Sequence, residues 1–182
     1  MCIRDSLPGV LAFLLMGGFV ATYNYLTFRL EGAPLHLSTT LTSLLFLAYL
    51  AGTVSSPLAG RLSDRFGRRR LALAGIGVSL AGLALMLPDQ IVCITVGLLV
   101  FTAGFFAAHS VASSWVSALA AGRRGQAAAM YLLAYYLGSS AFGALVGLAY
   151  QAWGWPGVAG SVACLFGLGV VAVLGVRPPP RH

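Results

Sequence analysis

His109 stands at the head of a run of small polar residues, with Ser110, Ser113, Ser114 and Ser117 following it. Two chemistries are open to such a set. One is nucleophilic: a serine hydroxyl activated by histidine, with Ser139 or Ser140 of the "GSS" at Gly138–Ser140 as the attacking group. The other is recognition, because an imidazole inside an apolar segment must find a partner on a neighbouring helix or on a bound molecule. Tyr23, Asn24, Tyr49, Tyr131 and Tyr135 are further polar side chains within apolar runs. Cys93 and Cys164 lie within such runs and Cys2 near the N-terminus, with no spacing that would hold a metal, so neither a metal nor a cofactor is expected.

The elements that carry these residues follow from composition. Of 182 residues 59% are hydrophobic and 8% charged, against about a quarter charged in a soluble domain. So few charges cannot cover a water-facing surface, and lipid must cover it instead. Six apolar runs are bounded by turn or charge signals: 8–28, 41–59, 71–87, 91–119, 127–150 and 155–176. Each meets or approaches the roughly 20 residues that a membrane-crossing helix requires. The connections alternate in kind. "EGAPLH", "PDQ" and "QAWGWPG" carry no arginine, whereas "GRLSDRFGRRR", "AAGRRGQ" and "RPPPRH" hold Arg61, Arg65, Arg68, Arg69, Arg70, Arg123, Arg124, Arg177 and Arg181. Arginine-rich short loops stay cytoplasmic, which puts both chain ends inside. Trp153 and Trp155 then suit an outer interface belt, and Trp115 an inner anchor. The basic run at 60–70 is too short and too poor in aromatic residues for nucleic-acid binding.

An internal repeat organises the six runs. At an offset of 86 residues "GFVA" (Gly18–Ala21) falls on "GFFA" (Gly104–Ala107), and "LAYLAGT" (Leu47–Thr53) on "LAYYLGS" (Leu133–Ser139). Ala74–Gly75 and Ala159–Gly160 match at 85. The expected fold is all-α and integral to the membrane, with six transmembrane helices forming two three-helix repeats, 7–87 and 91–176, and a cytoplasmic tail, 177–182. Three is odd, so the second repeat enters from the opposite face and is inverted. The same offset sets Tyr23-Asn24 on His109-Ser110 and Tyr49 on Tyr135. Residues 1–6, "MCIRDS", resemble a translated sequencing adapter and are set aside, which leaves 7–182 as the six-helix bundle.

"GRLSDRFGRRR" resembles the loop signature of the major facilitator superfamily, with Gly60, Leu62, Asp64, Arg65, Gly67, Arg68 and Arg69 in its positions. The stretches "FLLMGGFVATYNYL", "FTAGFFAAHSVASSW" and "YLLAYYLGSSAFG" extend the likeness along 7–182, toward the YnfM-like inner-membrane transport proteins of that family. The resemblance implies helices seven to twelve of a twelve-helix carrier whose N-terminal six-helix half is a separate partner. It implies a bacterial inner-membrane location and alternating access for a small-molecule substrate, with proton-coupled efflux. In the resembled family the first helix of each repeat lines the central cavity, so Tyr23, Asn24, His109, Ser110 and Ser113 become cavity candidates, and Tyr49 and Tyr135, on the second helices, join them because they correspond between the repeats. Gly60, Asp64, Arg65, Gly67 and Arg68 form a gate candidate: the carboxylate can bond a helix N-terminus or an arginine in one conformation and release it in the other. Two alternatives remain in view, an intramembrane serine hydrolase and a half-size carrier that works as a homodimer.

Overall fold

The computed structural model describes residues 3–119, 122 and 124–175, all in helices and the turns between them. Arg123 and the tail expected at 177–182 lie outside the described residues. α1 is Ile3–Glu31, α2 Thr39–Leu44, α3 Leu50–Phe66, α4 Arg68–Leu85, α5 Ile91–Leu119 and α6 Arg124–Gly175, with a 3-10 turn, Leu45–Tyr49, joining α2 to α3. The helix therefore includes residues 3–6, which the sequence had argued for setting aside.

Among the described residues four stretches are long and apolar enough to cross a membrane: Gly9–Glu31, Thr39–Phe66, Ile91–Ala118 and Gly125–Gly175. The difference from the six expected runs has two physical causes. α4 has only 18 residues and opens with Arg68, Arg69 and Arg70. The fifth and sixth runs are one helix in the backbone trace, and its 52 residues are more than twice the roughly 20 of a single crossing. That helix is broken inside, at Gly154, where φ is 61° and ψ −146°. Only glycine adopts such a conformation without strain.

Packing registers show what the break does. Along α1 and the first limb of α6 (124–153) residue numbers rise together: Gly9 lies against Ala134, Gly17 against Phe142 and Tyr25 against Gly147. Along the second limb (155–175) they run oppositely, with Gly18 on Val162 and Phe166, and Gly169 on Leu11 and Leu15. The limbs are therefore antiparallel, and the chain reverses at Gly154. α1 fills the groove between them, and 61% of its most apolar stretch is buried, against 17% for the α2–α3 stretch. The second limb also runs antiparallel to α4, where Arg69 donates to the Leu174 carbonyl at 3.0 Å. A cation at that point satisfies an orphan carbonyl of the last helical turn.

On the other side α4 and α5 run antiparallel through facing glycines, Gly75 on Gly104 and Gly82 on Gly97. Small residues let the backbones touch, and Ser79 Oγ reaches both the Gly75 carbonyl at 3.1 Å and the Phe101 carbonyl at 3.2 Å. α3 lies along α5 in the same direction, Gly52 against Phe106 and Ser56 beside Ser110. Pro57 sits inside α3 and frees a carbonyl one turn earlier.

Several of these contacts come in pairs. Gly82 on Gly97 and Phe101 is matched by Gly169 on Leu11 and Leu15; Ser79 against Gly104 is matched by Phe166 against Gly18. Between α1 and α5 these counterparts keep the offset of 86 seen in the sequence. Between α4 and the second limb the register differs from the Ala74–Gly75 and Ala159–Gly160 match. Gly75 is wedged against α5, whereas Gly160 is exposed and has nothing against it.

Candidate functional site

The polar and aromatic residues singled out on α1 and α5 converge where those two helices meet. Phe19 and Phe105, which the sequence offset of 86 sets on one another, stack with ring centroids 3.9 Å apart. One turn further along α1, Tyr23 lies 4.8 Å from Tyr49 at an interplanar angle of 48°. One turn further along α5, His109 lies 5.2 Å from Tyr135 at 49°. Two equivalent clusters, Phe19–Tyr23–Tyr49 and Phe105–His109–Tyr135, are thus joined at the Phe19/Phe105 stack. Phe46 and Phe106 extend the first, at 5.5 Å from Tyr23 and 6.0 Å from Tyr49.

The clusters share geometry and differ in polar chemistry. Tyr23 is buried, and its hydroxyl pairs with Thr102 Oγ1 at 2.7 Å. His109 takes the equivalent place and meets the Tyr131 hydroxyl through Nδ1 at 2.9 Å. Tyr131 is buried, while Tyr49 and Tyr135 keep part of their surface open. Helical spacing places Tyr131 and Tyr135 on one face, and both meet His109.

Other candidates are dispersed. Asn24 is exposed on another face of α1, where its amide approaches Gly143 of the first limb, because consecutive helical residues diverge by about 100°. Ser110 Oγ donates within α5 to the Ala107 carbonyl at 3.1 Å and across to the Ser56 carbonyl at 3.4 Å. Ser113 is half-buried one turn beyond His109, and its carbonyl accepts from Ser117 Oγ at 3.3 Å. Among the described residues no serine hydroxyl bonds His109, whose Nδ1 is held by tyrosine.

The loop motif forms the turn between α3 and α4. Gly67 has φ 88°, so it can end α3 and start α4 with no intervening residue. Asp64 and Arg65 are exposed and Arg68 is half-buried; the Arg65 guanidinium lies over the Phe66 ring, and the Asp64 carboxylate has no hydrogen-bond partner among the described residues. Among the described residues nothing lies within reach of a Cβ at Gly60.

Sequence reasoning missed the strongest polar site at the opposite end. Arg29 is buried and donates to the carbonyls of Met86, Leu87 and Pro88 and to the Asp89 carboxylate at 2.7 Å. Its guanidinium also lies 5.0 Å from the Trp155 ring. Trp155 is buried with Arg29 over its ring and so does not face outward as expected, whereas Trp153 is exposed. Trp115 is likewise buried in the bundle and is not a surface anchor. The signal available was Arg29 at the end of an apolar run, opposite the acidic "PDQ" turn.

Comparison with known proteins decides what this bundle is. The family model for the Major Facilitator Superfamily matches residues 8–182. The chain belongs to the major facilitator superfamily. Among major facilitator proteins it is 47% identical over 165 residues to the inner membrane transport protein YnfM of Escherichia coli, which covers 91% of this chain and 39% of YnfM. It is 37% identical over 153 residues to the MFS-type transporter YybF of Bacillus subtilis, covering 84% of this chain and 38% of that protein. A transporter of Buchnera aphidicola is 34% identical over 167 residues, 92% of this chain and 40% of that one. The chain thus spans about two fifths of the length of the curated relatives it matches. A multi-pass membrane protein of a transporter family is the reading these matches support.

Proposed function

We propose that residues 7–182 are the C-terminal six-helix half of a secondary active transporter, built as inverted repeats 7–87 and 91–176, with 177–182 and the "GRLSDRFGRRR" loop cytoplasmic. The observation that carries this reading is the meeting of Phe19 with Phe105, because counterparts of two inverted repeats touch only on the two-fold axis that relates them. The alternating directions of α1, α3, α4, α5 and the two limbs of α6 support six passes. The axis runs between the first helices of the repeats, so the Tyr23–Tyr49 and His109–Tyr135 clusters form one wall of a substrate path. A second six-helix half supplies the other wall, and rocking of the two exposes the path to each side in turn.

Asp64 is the gate residue in this reading. It is exposed at the α3–α4 turn without a partner among the described residues, which suits a group whose partner lies on the opposing half. The three arginines that open α4 oppose its helix dipole; Arg69 is explained in part by its bond to the Leu174 carbonyl, and a cytoplasmic location with anionic headgroups accounts for Arg68 and Arg70. Efflux of a small molecule in exchange for protons across the inner membrane is the coupling implied by resemblance. Asp64→Asn, in a frame carrying both halves, is expected to impair transport in inverted vesicles while membrane insertion stays intact. Wild-type transport by that variant would overturn the gate assignment.

A further inference from the structure

Pro57 stands inside α3, and its ring has no N–H to give the carbonyl four residues earlier, that of Thr53. Thr53 lies at the middle of the Thr39–Phe66 membrane stretch, where a backbone carbonyl left to face hydrocarbon is strongly disfavoured. Nearby hydroxyls among the described residues do not supply the donor. Thr53 Oγ1 donates back to the Leu50 carbonyl at 2.7 Å, Ser110 Oγ to the Ala107 and Ser56 carbonyls, and Ser55 Oγ is enclosed without a partner. The second repeat lacks this feature. The offset of 86 sets Gly143 on Pro57, and Gly143 keeps an N–H for the Ser139 carbonyl while its own carbonyl takes the Tyr25 hydroxyl at 2.8 Å.

The freed carbonyl sits on a face continuous with the Tyr23–Tyr49 cluster. Gly52, pressed against the Phe106 ring, fixes the side of α3 that meets α5. Tyr49, Thr53 and Pro57 follow one another at four-residue spacing on another face, and all three are exposed. The Tyr49 hydroxyl is neither enclosed nor bonded to a described residue, so it stands one turn from the Thr53 carbonyl with its oxygen free to accept. A carbonyl can only accept, so the complement of this pair is a donor group. Carriers built from inverted repeats hold their substrates near the bilayer midplane, where interrupted helices offer free backbone groups. We propose that the Thr53 carbonyl and the Tyr49 hydroxyl form a subsite for an N–H or O–H group of the carried molecule. This rests on the carrier reading for what the face meets, and it names a donor-bearing substrate class whatever its charge.

The test reads the carbonyl itself, in the 182-residue chain in lipid nanodiscs. Thr53 and Thr95 are the threonines followed by valine, so carbonyl-13C threonine with 15N valine and Thr95→Ser selects Thr53 alone. Benzamide, which has N–H donors, is titrated against N,N-dimethylbenzamide, which has the same ring and carbonyl without them. The Thr53 carbonyl resonance is expected to shift with benzamide and not with the dimethyl compound. Equal response to both, or to neither, would overturn the subsite. Pro57→Ala restores the helical N–H and is expected to abolish the response; a response kept in that variant would remove the carbonyl from the subsite. Tyr49→Phe is expected to weaken benzamide binding about fivefold, the equivalent of one ordinary hydrogen bond, and unchanged binding would remove the hydroxyl. In the two-half protein, Thr53→Cys is expected to react with a membrane-impermeant methanethiosulfonate. A benzamide shift without such labelling overturns the carrier reading for this face and spares the acceptor; labelling without a shift does the reverse.

Discussion

Arg29 does more than any other polar side chain to join separate parts of the described chain. It ties the end of α1 to the α4–α5 turn through three carbonyls and a carboxylate, and to the start of the second α6 limb through the Trp155 ring. Its guanidinium is 6% exposed while Asp89 is 57% exposed, so the ion pair itself is largely screened and the carbonyl bonds carry the contribution. Arg29→Met leaves those carbonyls without their donor and is expected to destabilise the bundle by about 3 kcal/mol. Thermal unfolding in detergent checks this. A midpoint equal to wild type would mean that the cluster follows the fold instead of holding it. Asp89→Asn, which keeps the carbonyl contacts, is expected to cost less than Arg29→Met.

At the scale of elements, glycine is used for opposite purposes. Gly104 sits where a Cβ would press on the backbone of Ser79 and Gly75, so α4 and α5 are held together by the absence of a side chain. Gly104→Leu is expected to force these helices apart at a cost of about 3 kcal/mol, visible as a lower unfolding temperature. Gly60 is the contrast, since nothing among the described residues occupies the space a Cβ would take. Gly60→Ala is expected to leave the unfolding temperature unchanged yet slow transport, because the constraint would come from the opposing half. Wild-type transport in that variant would show that no backbone approaches there.

For the molecule as a whole, the direction of each helix is the main structural result, and it can be checked from outside. With the native cysteines replaced, Arg65→Cys and Trp153→Cys are expected to react with a membrane-impermeant maleimide from opposite sides of the membrane. Labelling of both from one side would rule out the reversal of α6 within the bilayer and the six-pass arrangement with it. The low burial of the α2–α3 stretch also belongs to this scale. Its apolar face leaves Leu47, Leu50, Val54 and Leu58 exposed among the described residues.

Much of this was legible in the linear sequence. Charge scarcity alone required a lipid environment, because a water-facing surface needs more polar groups than the chain has. The offset of 86 set Tyr23 on His109 and Tyr49 on Tyr135 in the sequence, and in the structure Tyr23 lies beside Tyr49 and His109 beside Tyr135. The reversal at Gly154 was foreshadowed by the "QAWGWPG" turn. What only the tertiary structure decided were contacts between residues far apart in the chain: Tyr131 on His109, Arg29 on the carbonyls of 86–88, and the burial of Trp155 and Trp115. Asn24 and Tyr23 show why. Adjacent in sequence and equally polar, they part onto different faces of α1, and which face meets α5 is set by the packing of the other helices around it.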